Sequence, residues 1–240
     1  NIKLIWRPLL ALLPPFFMAI FFFAVNSLSL SALAQVPGFP NVSYKDFIAP
    51  VAIFTAIFFS AGNAGIELVQ DIQSGYFKKL IIMPINRLAI VLAKLTEIAV
   101  QSLGQGIIML ILLLLWGVKI QSGFLGVLAI FAILIIFAMA WSCIGMISAL
   151  RTQNARLVQS LFILVFPLLY LTTSQTPREL LPSTFATITD YNPVTHIIEG
   201  IRALVLNGWG SPDIGYAFLA AGGMFVVFIT FTMLSFRKAL

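Results

Sequence analysis

Charged residues are scarce in this chain: Asp, Glu, Lys and Arg together make up 9% of its 240 residues, whereas hydrophobic residues make up 60%. A soluble domain carries about 25% charged residues, so this composition excludes a water-soluble fold. Six long stretches contain no charged residue: 8–44, 47–66, 98–118, 120–150, 157–177 and 214–236. Each of them can hold the roughly 20 apolar residues with which a helix crosses the hydrocarbon core of a bilayer.

These stretches predict an all-α membrane protein. We expect six transmembrane helices, near residues 9–25, 47–69, 92–116, 125–149, 158–173 and 215–235. A transmembrane β-barrel would need short segments in which apolar and polar residues alternate, and these stretches are uniformly apolar. No segment has the composition of a water-soluble module, so we expect residues 1–240 to form a single transmembrane domain.

Residues that carry chemistry are also sparse. The single cysteine, Cys143, excludes an internal disulfide and a thiolate metal site, and we interpret it as a small packing residue. The single histidine, His196, and the absence of a His-Glu-x-x-His motif exclude an intramembrane metalloprotease. No Gly-x-x-x-x-Gly-Lys-Ser/Thr loop is present, so the chain is not expected to hydrolyse ATP. We therefore expect no catalytic residue, no metal site and no cofactor bound by this chain.

The net charge of +6 reflects membrane orientation rather than nucleic-acid binding. In the six-span interpretation, ten of the fourteen Lys and Arg residues fall on the side that holds both termini. Lys and Arg are enriched in cytoplasmic loops. We therefore expect a multi-pass protein of the plasma (inner) membrane with both termini in the cytosol, in contact with lipids and not with nucleic acid.

Polar residues near the membrane interior allow two interpretations. Glu67, Lys94 and Glu97 lie within about two turns of the cytosolic boundary, whereas ion-coupled carriers place acidic residues deep in their spans; we expect Lys94 and Glu97 to pair locally. The deeper polar residues are neutral, and four are candidates for a translocation path: Asn63, Gln101, Gln105 and Trp141. Hydrogen bonding between helices is the alternative role for such residues.

The loop between the second and third predicted spans carries its own amphipathic pattern. Phe77, Leu80 and Ile81 are spaced by three and four residues and share a helical face. Gly75 permits a sharp turn before them, and Pro84 disfavours helix at the preceding residue. We predict a short cytosolic helix over 72–83, with Phe77 and Leu80 as apolar anchors for a partner. The alternative is a solvated basic turn.

A second short helix is predicted in the outer segment before the last span. Asn192-Pro193 has the form of an N-cap followed by a first-turn proline, and Asn207-Gly208 would end the helix. Glu199 and Arg202 are three residues apart and can pair. About 15 residues are too few to cross the bilayer, so this helix should lie along the outer surface or dip in and return.

Taken with these features, the chain resembles the type-2 ABC exporter permeases, the membrane subunits of daunorubicin-resistance-type drug exporters and of polysaccharide exporters. In the cytosolic loop the family pattern is matched by Asp71, Gly75, Lys78, Lys79, Leu80, Pro84 and Arg87. Ala93, before Lys94, departs from it, since the family often has Gly there. The family's second mark is matched by Asn192, Pro193, Glu199 and Arg202. The match is closer to the drug and lipid branch.

The resemblance implies the membrane subunit of an ATP-driven exporter that moves a hydrophobic or amphipathic drug, lipid or glycolipid out of the cytosol or inner leaflet. It implies a dimer with a second membrane subunit, and separate ABC ATPase subunits that bind ATP and Mg²⁺. The matched loop residues, together with Phe77, would couple to the ATPase, and the matched outer residues would form a gate. The alternative functions are a secondary carrier or channel and, more remotely, an intramembrane hydrolase. Substrate identity and the choice between homodimer and heterodimer stay open.

The six-span topology can be tested with single cysteines. In a Cys143→Ala background, Ser74→Cys should react with membrane-impermeant thiol reagents from the cytosolic side alone, because the loop that contains it is predicted to be cytosolic. Ser183→Cys should react from the outside alone. Labelling of both cysteines from the same side of sealed cells would contradict the topology.

Overall fold

The computed structural model of the protein describes residues 17–82 and 87–238, and within these two ranges no residue is in a strand. The helices are α1, described over Phe17–Ser29, α2 (Tyr44–Gly62), α3 (Ala64–Gln73), α4 (Tyr76–Ile82), α5 (Arg87–Leu115), α6 (Gly123–Thr152), α7 (Ala155–Val165), α8 (Pro167–Tyr170), α9 (Ser183–Tyr191), α10 (Pro193–Leu206) and α11 (Asp213–Lys238). The all-α class is as predicted.

Four stretches of helix in the described residues are long and apolar enough to cross a membrane: Tyr44–Gln73, Leu88–Leu115, Gly123–Thr152 and Asp213–Phe236. They correspond to the second, third, fourth and sixth predicted spans. The first predicted span, 9–25, lies partly outside the described residues. The described part of α1, Phe17–Ser29, is shorter than the roughly 20 residues that cross a bilayer. Six spanning helices are therefore not established by this structure.

The predicted fifth span, 158–173, is not one helix. α7 ends at Val165, and Pro167 begins the single turn of α8. Proline lacks the N–H that would continue the helical hydrogen bonds, and its ring clashes with the carbonyl four residues earlier. After Tyr170 the chain is non-helical as far as Pro177. The uniform hydropathy of this stretch concealed a helix break that Pro167 explains.

The centre of the fold is formed by α6, which contacts α2, α3, α5, α7, α10 and α11. The predicted outer helix, α10, packs between α2 and α11, and ten of its 14 residues are buried. Its close approach to α11 requires Gly200, because a Cβ there would lie 2.3 Å from the Cβ of Ala217. α10 is thus a core element, whereas α5 and α11 expose broad apolar faces of the kind that contact lipid.

α3 and α6 touch backbone to backbone. A Cβ added to Gly65 would lie 2.6 Å from the carbonyl carbon and oxygen of Gly145. Small residues at helix crossings allow this approach and the dispersion contacts that hold membrane helices together. The packing of α3 against α6 therefore depends on glycine at this crossing.

We expect Gly65→Ala to lower the free energy of unfolding by about 1–3 kcal/mol, the cost of overpacking a close contact. Gly104→Ala is the matched control, because Gly104 is also helical and a Cβ there has no atom within 4 Å. This control should be neutral or raise stability by about 0.5–1 kcal/mol. Thermal unfolding of the purified proteins measures both changes, and equal effects would contradict the close crossing.

Candidate functional site

The predicted cytosolic segment folds as two helices rather than one. α3 ends at Gln73, Ser74 donates its hydroxyl hydrogen to the Asp71 carbonyl at 3.1 Å, and Gly75 has φ +76°. α4 starts at the next residue. The prediction of a continuous helix over 72–83 is therefore wrong at its beginning, because the left-handed conformation of Gly75 turns the chain at that point.

Phe77 faces the interior of the fold. Its side chain is 6% exposed, and its ring centroid lies 5.8 Å from that of Phe236 in α11. Leu80 packs against the same cluster, which also contains Leu68, Val69, Ile90, Val91, Leu95, Cys143, Met146, Ala149, Leu150 and Val158. The predicted role of Phe77 as an anchor for the ATPase stays a prediction, but its burial leaves little of the side chain for a partner to contact. α4 instead exposes Tyr76 (53%), Lys79 and Ile82 (83%).

Asp71 and Lys94 join α3 to α5. The Lys94 ammonium lies 2.8 Å from the Asp71 carboxylate and 3.0 Å from that of Glu97. The local Lys94–Glu97 pair is confirmed, and the pair with Asp71 was not predicted. Pro84 and the side chains of Lys78 and Arg87 lie outside what the structure describes. Of the predicted coupling residues, Asp71, Phe77 and Leu80 thus contact the rest of the fold.

At the other predicted site, the Asn192 side chain bonds both to the start of α10 and to Leu171. Its Oδ1 accepts from the Val194 N–H at 3.0 Å, and its Nδ2 donates to the Leu171 carbonyl at 2.8 Å. Pro193 occupies the first turn, as predicted. α10 ends at Leu206, and Gly208 has φ +81°, so both ends of this helix match the prediction.

Arg202 is buried, with 5% of its surface exposed, and joins three parts of the chain. Its Nε donates to the Phe47 carbonyl of α2 at 3.2 Å, and its guanidinium carbon lies 3.8 Å from the centroid of the Phe47 ring. Its Nη2 donates to the carbonyls of Thr173 and Ser174 at 2.9 and 3.4 Å. Its Nη1 pairs with Glu199, as predicted.

These hydrogen bonds hold the non-helical residues 171–174, here called the strap. Glu199 also accepts a hydrogen bond from the Thr173 hydroxyl, so its carboxylate has two donors. A buried charge is tolerated when it is paired and its remaining hydrogen-bonding atoms are satisfied. Asn192, Glu199 and Arg202, predicted as gate residues, therefore have a common structural role, because together they fix the strap against α10 and α2.

Two cavities of about 370 Å³ are each lined by one residue of the strap. The apolar cavity is lined by Phe58, Trp141, Ile144, Val165, Leu169, Leu171, Ile188, Tyr191, Asn192, Pro193, Val194, Met224 and Phe228. The polar cavity is lined by Pro40, Val42, Phe47, Thr173, Pro177, Arg178, Glu179, Asp190, Thr195, His196, Glu199, Arg202, Ala203, Leu206, Asn207 and Asp213. Leu171 lines the apolar cavity and Thr173 the polar one, so the strap contributes to both.

The polar cavity also contains a surface ion pair. The Arg178 Nε donates to Asp190 at 2.7 Å, and this pairing lowers the pKa of the Asp190 carboxyl below its usual range. His196 bonds to the Asp190 carbonyl at 3.0 Å.

The predicted path residues are not gathered in one place. Trp141 lines the apolar cavity, whereas Asn63, Gln101 and Gln105 line neither of the two cavities. Gln105 is 2% exposed and Asn63 is exposed. Sequence reasoning missed the strap itself, although the polar run Thr172-Thr173-Ser174-Gln175, soon after Pro167, signals its position.

A helical chain with four helices suited to cross a bilayer is an integral membrane protein. The family model for ABC-2 type transporters matches residues 1–206, and the chain belongs to this family, whose members are membrane permease subunits that work with an ABC ATPase.

Three relatives illustrate the similarity. The daunorubicin resistance ABC transporter permease protein DrrB1 of Streptomyces coeruleorubidus is 26% identical over 196 residues, which are 81% of this chain and 69% of the relative. The putative transport permease ycf38 of Cyanophora paradoxa is 27% identical, over 68% of this chain and 56% of the relative. The inner membrane transport permease YhhJ of Escherichia coli is 27% identical, over 73% and 47%. The chain thus spans about half the length of the last two.

We expect Arg202→Ala to destabilise the protein by about 3–5 kcal/mol, because it leaves Glu199 without its cation and three buried carbonyls without their donor. Arg178→Ala is the control: it removes an arginine from the exposed pair with Asp190 and should change stability little. Thermal unfolding compares them. A similar loss in both variants would contradict the role of the Arg202 hydrogen bonds.

Proposed function

We propose that this chain is the membrane subunit of an ATP-driven exporter for a hydrophobic or amphipathic drug, lipid or glycolipid. It would act as a single transmembrane domain in the inner membrane, paired with a second membrane subunit and surrounded by lipid. ABC ATPase subunits would bind ATP and Mg²⁺ and supply the energy. Membership of the ABC-2 family supports the general assignment, and the name of the Streptomyces relative supports a drug as one substrate class.

One observation carries the coupling part of this proposal: α4 presents large apolar side chains beyond the end of a membrane-length helix. Tyr44–Gln73 contains 30 residues, or about 45 Å of helix, whereas the hydrocarbon core is about 30 Å thick. With Tyr44 near the outer boundary, α4 lies on the cytosolic side. Tyr76 and Ile82 there are 53% and 83% exposed, and we propose that they dock into the ATPase.

Phe77 and Asp71 would transmit movement of the docked helix. Phe77 fixes α4 to a cluster that joins α3, α5, α6, α7 and α11. Asp71 links α3 to α5 through Lys94. A displacement of α4 by the ATPase would therefore move the inner ends of several helices together. In this assignment Phe77 is a positioning residue and Tyr76 and Ile82 make the contact.

The strap and its donors would form the outer gate. Arg202 and Asn192 hold residues 171–174 in place, and release of these bonds would let the strap move. Substitution of Arg202 or Asn192 should reduce transport and leave ATPase association intact, because in this proposal both residues lie on the opposite side of the membrane from α4.

A secondary carrier or channel is the second candidate function. The buried Arg202 and the half-buried Glu199 pair with each other, and Arg202 also donates to backbone carbonyls, which favours a structural role over ion transport. Vesicles that contain this chain and its ATPase discriminate the two: export requires ATP, and carrier activity requires an ion gradient.

We expect Tyr76→Ala combined with Ile82→Ala to weaken ATPase association at least tenfold, because truncating interface anchors costs about 2 kcal/mol or more each. The protein should stay folded, since both side chains are exposed. Phe77→Ala should lower thermal stability by about 3 kcal/mol or more through loss of core packing. Pull-down of the ATPase and thermal unfolding measure these effects.

The matched control is Val100→Ala combined with Leu115→Ala, two comparably exposed side chains on α5. This pair should leave ATPase association unchanged. Retention of full ATPase binding and coupled transport by the Tyr76/Ile82 double variant would refute docking through α4.

A further inference from the structure

The apolar cavity lies at the depth of the lipid tails. α10 bonds to the first turn of α2 through Arg202 and packs on the first turn of α11 through Gly200, so α2 and α11 begin on the same side of the bundle. Two residues that line the cavity measure its depth: Met224 lies roughly 16 Å into α11, and Phe58 roughly 21 Å into α2. The hydrocarbon core is about 30 Å thick. Both side chains are therefore near the middle of the bilayer.

The wall of this cavity has little to offer water. None of the described residues that line it is Asp, Glu, Lys, Arg or His. The side-chain amide of Asn192 is already bonded to Val194 and Leu171, and the indole nitrogen of Trp141 is buried within the wall. A buried water needs roughly two to four polar partners. Water is therefore not the molecule that fills this cavity.

The cavity is too large to stay empty. Its volume is about 370 Å³, whereas a cavity of roughly 150 Å³ lined by Leu, Ile and Phe in another protein stays dry and binds benzene. Side chains around a void lose the dispersion contacts that they would make on its open side. At this depth the molecules that surround the protein are lipids, and their tails can supply these contacts.

The cavity reaches the protein surface at α9. Ile188 and Tyr191 line it and are 45% and 85% exposed. A lipid tail is flexible, so it can enter sideways past these residues while its headgroup stays at the membrane surface. A charged or strongly polar molecule would have to give up its hydration to take the same place, without a partner in the wall.

We propose that one acyl chain of a membrane lipid occupies the apolar cavity and enters it beside Ile188 and Tyr191. An acyl chain is neutral and has no hydrogen-bonding group along its length, which matches the wall. It packs against Leu169, Met224 and Phe228. This inference depends on the position of the cavity in the membrane and not on ATP-driven export, so it goes beyond the proposed function and either can fail without the other.

Quenching of tryptophan fluorescence by brominated lipid tails tests the proposal, because Trp141 lies in the cavity wall. Trp6→Phe, Trp116→Phe and Trp209→Phe together leave Trp141 as the single tryptophan. This protein is placed in nanodiscs of phosphatidylcholine that carries bromine near the middle of its tails. Nanodiscs of the same lipid without bromine give the reference intensity. Bromine quenches an indole that it contacts, so we expect strong quenching of Trp141.

A matched pair of double variants in this single-tryptophan protein tests the location. Met224→Phe with Ile188→Phe adds bulk to the wall and to the opening, and it should lose most of the quenching because the tail no longer fits. Leu219→Phe with Val226→Phe adds the same side chain at positions that are 72% and 62% exposed, and it should keep the quenching in full. Thermal unfolding confirms that both variants are folded.

Absence of bromine quenching in the single-tryptophan protein would overturn the proposal, since the cavity then holds no lipid tail. Equal quenching in the Met224/Ile188 variant would also overturn it, because bromine would then reach Trp141 from the surrounding lipid. Quenching by aqueous iodide in place of bromine would show a water-filled cavity and refute it. ATP-dependent transport in vesicles tests the exporter assignment separately: quenching without transport would refute that assignment alone, and transport without quenching would refute the acyl-chain site alone.

Discussion

Buried non-helical backbone must find hydrogen-bond partners within the protein, and this constraint explains the half of the fold that contains the strap. The strap leaves carbonyl groups without helical partners after Pro167 has ended α7 and begun α8. Thr172, Thr173 and Ser174 are buried inside the protein, so water does not satisfy these groups. Arg202 supplies donors to two strap carbonyls and to the Phe47 carbonyl, and Asn192 supplies one more. α10 is buried because it has to carry these side chains to the strap.

The need to satisfy buried polar groups also explains why Glu199 lies beside Arg202. A buried guanidinium would be costly without a carboxylate, and Glu199 provides it one turn earlier on the same helix. The carboxylate in turn accepts from Thr173, so the pair is tied to the strap from both sides. The motif Asn-Pro followed by Glu and Arg is thus a set of donors and acceptors matched to one broken span.

The all-α class, the bounds of α10 and the Glu199–Arg202 pair could be predicted from the sequence, because they depend on hydropathy, local spacing and capping residues. It could not predict which face of α4 is buried, since Phe77 and Tyr76 are both large and aromatic and the cluster around Phe236 is distant in sequence. The Asp71–Lys94 pair and the strap contacts were missed for the same reason. Hydropathy alone also predicted one continuous span, 158–173, where the structure has α7, α8 and most of the strap.

The strap and the residues that bond to it line both the apolar and the polar cavity. Leu171 and Asn192 line the apolar cavity, while Thr173, Glu199 and Arg202 line the polar one. The bonds that satisfy the strap backbone therefore come from residues that also line these cavities. Because one guanidinium holds two strap carbonyls and an α2 carbonyl, these contacts cannot be released one at a time without leaving a buried charge poorly solvated. In the gate proposed above, the strap would therefore switch between two discrete positions rather than move gradually.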